Sequence, residues 1–382
     1  MNIIITETSS PVPEILIEGT LADKAKQYLS FLLQGKRQNA SQLIMEAIAQ
    51  GVTIKEIYMD VFQPSQLEVG RLWQTNQISV AQEHYCTVST QMIMSQLFPH
   101  ILTSEKNGNN LLAICVGGEL HEIGMRIVAD FFEMEGWDTY YIGANTPTNT
   151  IIDTLNVQHF DIIAISATIT YNILYVKELI QSIRGAHADK EIKILVGGRP
   201  FNIAPRLWKK VGADGCAKDA PGAIQKAQDL LYLDNQTVTE KMPSEPYEEL
   251  LPITAHAMSS FLQQKDTIIK NAVDEAVRYE DDMPYDSMKK ETIIRYGFEY
   301  TTRMLEAVMA VGEIALFEDQ ITWAQDRLPH DGVQSKNILR LFKIYSKHIS
   351  TSLSEQDASE IQPYMSWLIK RQEQLMSDVS FC

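Results

Sequence analysis

Four short stretches of this 382-residue chain bring together residue types that suit ligand binding. They are Gly117-Gly118-Glu119-Leu120-His121-Glu122-Ile123-Gly124, Gly143-Ala144-Asn145-Thr146-Pro147, Ser166-Ala167-Thr168-Ile169-Thr170 and Gly197-Gly198-Arg199-Pro200. Glycine lets the backbone come close to a bound group, hydroxyls give and take hydrogen bonds, and His121 offers an imidazole. No stretch is G-x-G-x-x-G or carries the P-loop lysine, which argues against a dinucleotide or a nucleoside triphosphate. Upstream, Trp73 is followed after nine residues by Glu83-His84. The four cysteines, Cys86, Cys115, Cys216 and Cys382, form no C-x-x-C pair. Zinc ribbons, iron–sulfur clusters and a disulfide framework are therefore unsupported, and a reducing cytoplasm is the expected compartment.

These stretches need elements to hold them. Short apolar runs (LLAICV, TYYIG, DIIAISA and IKILVG) read as strands, each placed just before one of the four stretches. Helical segments are expected near 122–136, 148–156, 172–186 and 201–211, with a fifth strand near Asp214 to Ala217 and a helix from Pro221. Strands alternating with helices of this length predict a flavodoxin-like, five-stranded parallel sheet (Rossmann-like), in which ligands bind outside the carboxyl ends of the strands. Before it, Leu29, Leu32, Ile44, Ile48, Ile57, Tyr58, Val61 and Phe62 recur at helical spacing. Ser79-Val80-Ala81-Gln82 reads as a capping box that starts a helix near Val80, running through Met94. After a polar linker containing Pro243 and Pro246, the rest of the chain reads as wholly helical. The expected organisation is multi-domain α and α/β: an N-terminal extension over 1–20, a helical bundle over 21–102, a Rossmann-like domain over 110–234, a linker over 235–250 and an all-helical domain over 251–382.

Composition sets outer limits. Lys+Arg 33 against Asp+Glu 49 gives a formal net charge of −16 with no basic block, so neither nucleic acid nor an anionic membrane is an expected partner. The amino end lacks a basic region and a long apolar stretch, and no segment approaches the roughly 20 continuous apolar residues of a membrane span.

E-L-H-E-I-G resembles the D/E-x-H-x-x-G signature of cobalamin-binding domains, and the Ser166 and Gly197-Gly198 loops fall in matching places. The resemblance implies that His121 coordinates cobalt from below, replacing the cofactor's own benzimidazole. It further implies that Glu119 accepts the other ring proton, that Leu120 and Glu122 lie at the corrin, and that Gly124 gives close approach. Ser166, Thr168, Thr170, Gly197 and Gly198 would contact the nucleotide tail. Imidazole is a good cobalt ligand, and a carboxylate two residues away suits its second nitrogen. Taken singly, Ser166 and Thr170 are equally readable as ordinary loop hydrogen-bonding residues, and Gly197-Gly198 as a strand-to-helix turn.

The W-x₉-E-H spacing is similar to adenosylcobalamin photoreceptors of the CarH type. There the tryptophan and the acid line the pocket of the 5′-deoxyadenosyl group, which implies upper-face roles for Trp73, Val80, Glu83 and His84. Trp73 alone also reads as a core aromatic, and Glu83 as an acid favoured in any first helical turn. Gln74 stands where such receptors have a histidine, which argues against a bis-histidine photoproduct. A following helical domain resembles the photocobilins, whose added domain binds a bilin such as biliverdin. Trp323, Asp326, Arg327 and His330, with His256 and His348, are the candidates for a non-covalent bilin; Cys382 is the only cysteine after the linker.

The expected function is therefore light sensing: adenosylcobalamin held by His121, light-driven cobalt–carbon cleavage, biliverdin as a candidate second chromophore, and a signal passed to a homo-oligomer partner or a downstream protein, without turnover. The alternative is a corrinoid methyl carrier of a methyltransferase system. Such carriers share the bundle, the histidine loop and the sheet.

Overall fold

The computed structural model describes residues 13–102, 105–187, 191–232, 250–279 and 286–379. The expected linker 235–250 lies outside the described residues up to 249, as do the first twelve residues of the N-terminal extension and Cys382. The chain divides into two compact units, one up to residue 103 and one from 104 onward.

The first unit is helical: α1 (Ala22–Leu33), α2 (Arg37–Ala49), α3 (Ile54–Glu56), a π-helical stretch (Ile57–Phe62), α4 (Gln63–Gln74) and α5 (Val80–Ile101). Thr53 opens α3 with a capping box closed by Glu56, and Ser79 opens α5 with one closed by Gln82, as its spacing predicts. Tyr28, Leu29, Ile44, Tyr58, Phe62, Leu72, Ile93 and Leu97 are fully buried, and each such side chain stabilises by about 1.5–3 kcal/mol. Tyr28 satisfies its hydroxyl on Thr90 at 2.9 Å. α5 continues past the expected end at Met94, because Leu97 and Ile101 stay in the core although Pro99 removes one helix donor.

The second unit contains β1 (Asn110–Cys115), α6 (Ile123–Met134), β2 (Asp138–Gly143), α7 (Thr148–Val157), β3 (Ile162–Ser166) and α8 (Ile173–Ala186). β4 (Lys193–Gly197), α9 (Arg199–Ile203), α10 (Leu207–Val211), β5 (Gly215–Ala217) and α11 (Ala220–Tyr232) complete the α/β part. All strand pairings among the described residues are parallel, in the order β2-β1-β3-β4-β5. The helix expected over 201–211 is two short ones, because Pro205 cannot donate between them. The register places Cys115 beside Ser166 and Ser166 beside Gly197, so β1, β3 and β4 end level. The chain leaves β1 in opposite directions to reach β2 and β3, and a crevice opens at this switch point.

The same unit continues into α12 (Ala255–Ala276), α13 (Ser287–Val311), α14 (Ala315–Arg327), α15 (Ser335–Ser352) and α16 (Glu355–Val379). One buried core runs from Leu112, Ile114, Ile163 and Ile165 of the sheet, through Val176 and Ile180 of α8, to Leu305, Val308, Leu316 and Phe317 of the helices. Lys177 of α8 donates to Ala310 O at 2.8 Å, and Lys210 of α10 pairs with the buried Glu313 at 2.5 Å. The carboxyl-terminal helices are therefore packed on the sheet's helical layer.

Candidate functional site

Past Cys115 the backbone turns sharply. Gly118 takes φ +80°, a left-handed conformation that side-chain-bearing residues avoid, and its amide donates to Asn145 Oδ1 at 2.7 Å. The turn drives Glu119 inward, where it is fully buried, and leaves the His121 side chain 58% exposed. Glu119 Oε1 accepts from His121 N at 3.0 Å and lies 2.6 Å from His121 Nδ1. Its Oε2 accepts from Thr168 N at 2.7 Å, Ile169 N at 3.0 Å and Asn172 Nδ2 at 3.0 Å. Burial alone would push this carboxyl up; the bonds from His121, Ile169 and Thr168 outweigh it and hold it down at about 2. An ionised carboxylate only accepts, so in the neutral ring Nδ1 carries the proton and Nε2 presents its lone pair.

The neighbouring loops close around this pair. Glu122 Oε2 accepts from Tyr141 OH at 3.2 Å and Ala144 N at 3.1 Å, tying the loop after β2 to the loop after β1. Asn145, at φ +51°, donates its amide to Glu119 O. Ser166 and Thr170 are buried and Thr168 is half-buried. Gly198 is at φ +105°, and a Cβ there would lie 2.0 Å from Ala167 O, so the loops after β3 and β4 meet only because this residue is glycine. Gly197 is tight against Ala217 O, which a Cβ would approach to 3.2 Å. The structure thus brings Glu119, His121, Glu122, Ser166, Thr168, Thr170, Gly197 and Gly198 to one sheet edge, with Leu120 exposed beside them.

Asn172 was not foreseen from sequence. It is fully buried, it donates to Glu119, and among the described residues its Oδ1 has no partner. A buried amide half-satisfied at a glycine-lined loop invites a donor from outside the chain.

In the first unit, Trp73 lies half-buried in the last turn of α4, which ends at Gln74. Val80 is half exposed in the first turn of α5. Glu83 is already engaged: Oε1 accepts from Thr87 Oγ1 at 3.1 Å, and Oε2 lies 2.6 Å from Nδ1 of the exposed His84.

The chemistry of the sheet edge fits a cobalt corrinoid. Among the described residues no three or more His, Cys, Asp or Glu side chains gather as a metal cage, so a ligated metal would bring most of its own coordination and take one imidazole. Gly124 supports this. It lies in the first turn of α6 at an ordinary φ, and a Cβ there would touch nothing within 4 Å. Among the described residues nothing crowds this position, which leaves it open to a bound group.

Residues 109–227 match the family model described as the B12 binding domain, and residues 24–97 match a second model of the same description. Together with the relatives below, these matches support a cobalamin-binding protein with a cobalt corrinoid cofactor.

The chain is similar to the dimethylamine corrinoid protein of Methanosarcina barkeri, 32% identical over 117 residues, covering 30% of this chain and 54% of that protein. A corrinoid protein of Desulfitobacterium hafniense is 22% identical over 217 residues, 56% of this chain and 98% of its own length. The solved monomethylamine corrinoid protein of Methanosarcina barkeri shares the fold, with TM-score 0.50 and 19% identity over 56% of this chain and all of that one. The chain spans about half the length of the first curated relatives it matches.

The expectation of light sensing is overturned by the curated relatives, which are corrinoid proteins, several of them named for dimethylamine. The physical reason lies in the bundle. Trp73, Val80, Glu83 and His84 all fall within residues 24–97, which match a general B12 binding domain, so their spacing does not by itself point to photochemistry. The ground for biliverdin goes with it, since it rested on the photoreceptor resemblance. Of the side chains offered to a bilin, Arg327 pairs with Asp331 at 3.0 Å and His348 with Glu275 at 2.8 Å, while the exposed His256 lies 3.6 Å from Asp357. Among the described residues no helix is long and apolar enough to cross a membrane.

Proposed function

We propose that this chain is a corrinoid protein that carries methyl groups for a methyltransferase system. The observation that carries the proposal is the clamp on His121, whose ring is exposed while its Nδ1 is fixed by a buried, ionised carboxylate. In this reading His121 Nε2 would hold the cobalt. Glu119 keeps the proton on Nδ1 and sets the ring's orientation. A bound cobalt corrinoid supplies a centre that takes up and gives up a methyl group. Glu122 fixes the loop after β2, and Leu120 and Gly124 offer a low surface against the macrocycle. Ser166, Thr168, Thr170, Gly197 and Gly198 are assigned to the nucleotide tail, and Trp73, Val80, Glu83 and His84 to corrinoid contacts made by the bundle. The partner in this reading is a methyltransferase, in keeping with relatives named as dimethylamine and monomethylamine corrinoid proteins.

The test is equilibrium binding of methylcobalamin and adenosylcobalamin to the purified chain in the dark, followed by absorption. The expected result is tight retention of the methyl form in a histidine-ligated state that His121→Ala abolishes. Binding of the adenosyl form alone, or of no corrinoid, would overturn the proposal.

A further inference from the structure

The loop after β3 is gripped from two sides. On its inner side, Thr168 N, Ile169 N and Asn172 Nδ2 all donate to Glu119 Oε2, while the other oxygen of that carboxylate holds His121. On its outer side the loop meets the carboxyl-terminal helices. Gln320 Nε2 of α14 donates to Thr170 Oγ1 at 3.3 Å, and Gln320 is itself held by the hydroxyl of Tyr300 from α13. Tyr171 meets the Tyr300 ring edge-on at 5.9 Å, and the Arg303 guanidinium lies 5.7 Å over the Tyr171 ring. Alongside, Asp319 takes Arg199 through two nitrogens, at 2.5 and 3.2 Å, just after the Gly197-Gly198 pair.

Helices about 150 residues away in sequence therefore hold the peptide whose amides bond the carboxylate beside His121. We propose that the carboxyl-terminal helical domain tunes the lower ligand, with Gln320, Tyr300 and Arg303 as positioning residues that act on His121 through loop 168–172 and Glu119. The inference rests on the reading of His121 as the cobalt ligand. If the outer grip is released, the loop amides lose their fixed direction and Glu119 is less able to hold the ring. By linkage, corrinoid binding tightens the docking of α13 and α14 on this loop to the same degree.

The experiment uses the full chain with ¹⁵N-labelled histidine, loaded with cobalt(II) cobalamin and examined by electron paramagnetic resonance. A single ¹⁵N ligand splits the cobalt lines into doublets, whereas the cofactor's own ¹⁴N base gives triplets. Gln320→Ala and the exposed Arg303→Gln should each lower the doublet share and weaken cobalamin affinity about fivefold, the scale of one lost hydrogen bond for the first and of one exposed cation–π contact for the second. A merely structural loss would lower the melting temperature and leave the doublet share intact, and that result overturns the proposal, as does unchanged affinity in both variants. A wild-type chain that binds no cobalamin, or a doublet that survives His121→Ala, would defeat the assignment of His121 itself, a result distinct from failure of the coupling.

Discussion

Glu119→Gln is the most informative single substitution at the sheet edge. The carboxylate accepts five bonds, two from His121 and three from the loop after β3. A glutamine keeps the size but can present only one acceptor oxygen. If that oxygen stays with Thr168, Ile169 and Asn172, its amide group confronts the His121 N–H, donor against donor. His121 Nδ1 must then become an acceptor, which moves the proton to Nε2 and removes the lone pair that a metal needs. The energetic scale follows from the carboxyl itself, held at about 2 against an ordinary 4.5. That difference corresponds to roughly 3 kcal/mol of folding stability. Because the folded value is depressed, this stability is fully present above 4.5 and disappears as pH falls from 4.5 through about 2. Denaturant unfolding at pH 7 should therefore show a loss of about 2–3 kcal/mol in the variant, and the wild-type advantage should shrink steadily below pH 4.5. Corrinoid affinity should fall roughly 10- to 100-fold, with loss of the histidine doublet in the resonance experiment. A variant with wild-type stability at pH 7 and an intact doublet would refute the argument that Glu119 sets the ring's tautomer.

The two glycines at the edge should behave oppositely. Gly198→Ala puts a Cβ 2.0 Å from Ala167 O at a left-handed φ, so thermal or denaturant unfolding should show a loss on the order of 3 kcal/mol before any ligand is added. Gly124→Ala has open space and an ordinary φ, so the unliganded chain should keep its stability within about 1 kcal/mol while its cobalamin affinity, read by equilibrium dialysis, drops. Unfolding by Gly124→Ala, or unchanged affinity, would remove the case for close approach there. Burial first, and then nearby carboxylates, push the Cys86 and Cys115 thiols up to about 12. Both should therefore resist an aromatic disulfide reagent at pH 8 in the native chain, while the half-exposed Cys216 reacts; mapping the labelled peptides checks this.

Much of the architecture was legible because the signals were local. Three of the apolar runs, rich in Ile, Val and Leu, became buried strands, while TYYIG became the partly exposed edge strand β2, and Ser79 with Gln82 marked the start of α5 to the residue. Gly117 to Gly124 announced the histidine loop, and the inward acid with the outward imidazole followed from the sharp turn at Gly118. What escaped was set by distant contacts. α5 passes Met94 because Leu97 and Ile101 find a core, which no propensity at Pro99 suggests. Asn172 reads as an unremarkable polar residue until the fold buries it against Glu119. The grip of Gln320 on Thr170 joins positions whose partnership exists only after α14 docks.

The bundle spacing illustrates a different kind of error. A tryptophan at the end of α4 and an acid in the first turn of α5 are held there by helix geometry: Ser79 caps α5, and Glu83 then sits where an acid complements the helix amino end. Both positions follow from how α4 ends and α5 begins, whatever the bundle binds. The spacing therefore reports the module and leaves its chemistry open. The lower side is more discriminating, because tautomer and orientation at His121 depend on a buried charge with five donors, and such a charge is costly to keep unless the ring it orients is used. That cost ties the geometry of the His121–Glu119 pair to the loop after β3 and, through Gln320 and Thr170, to the helices that steady it.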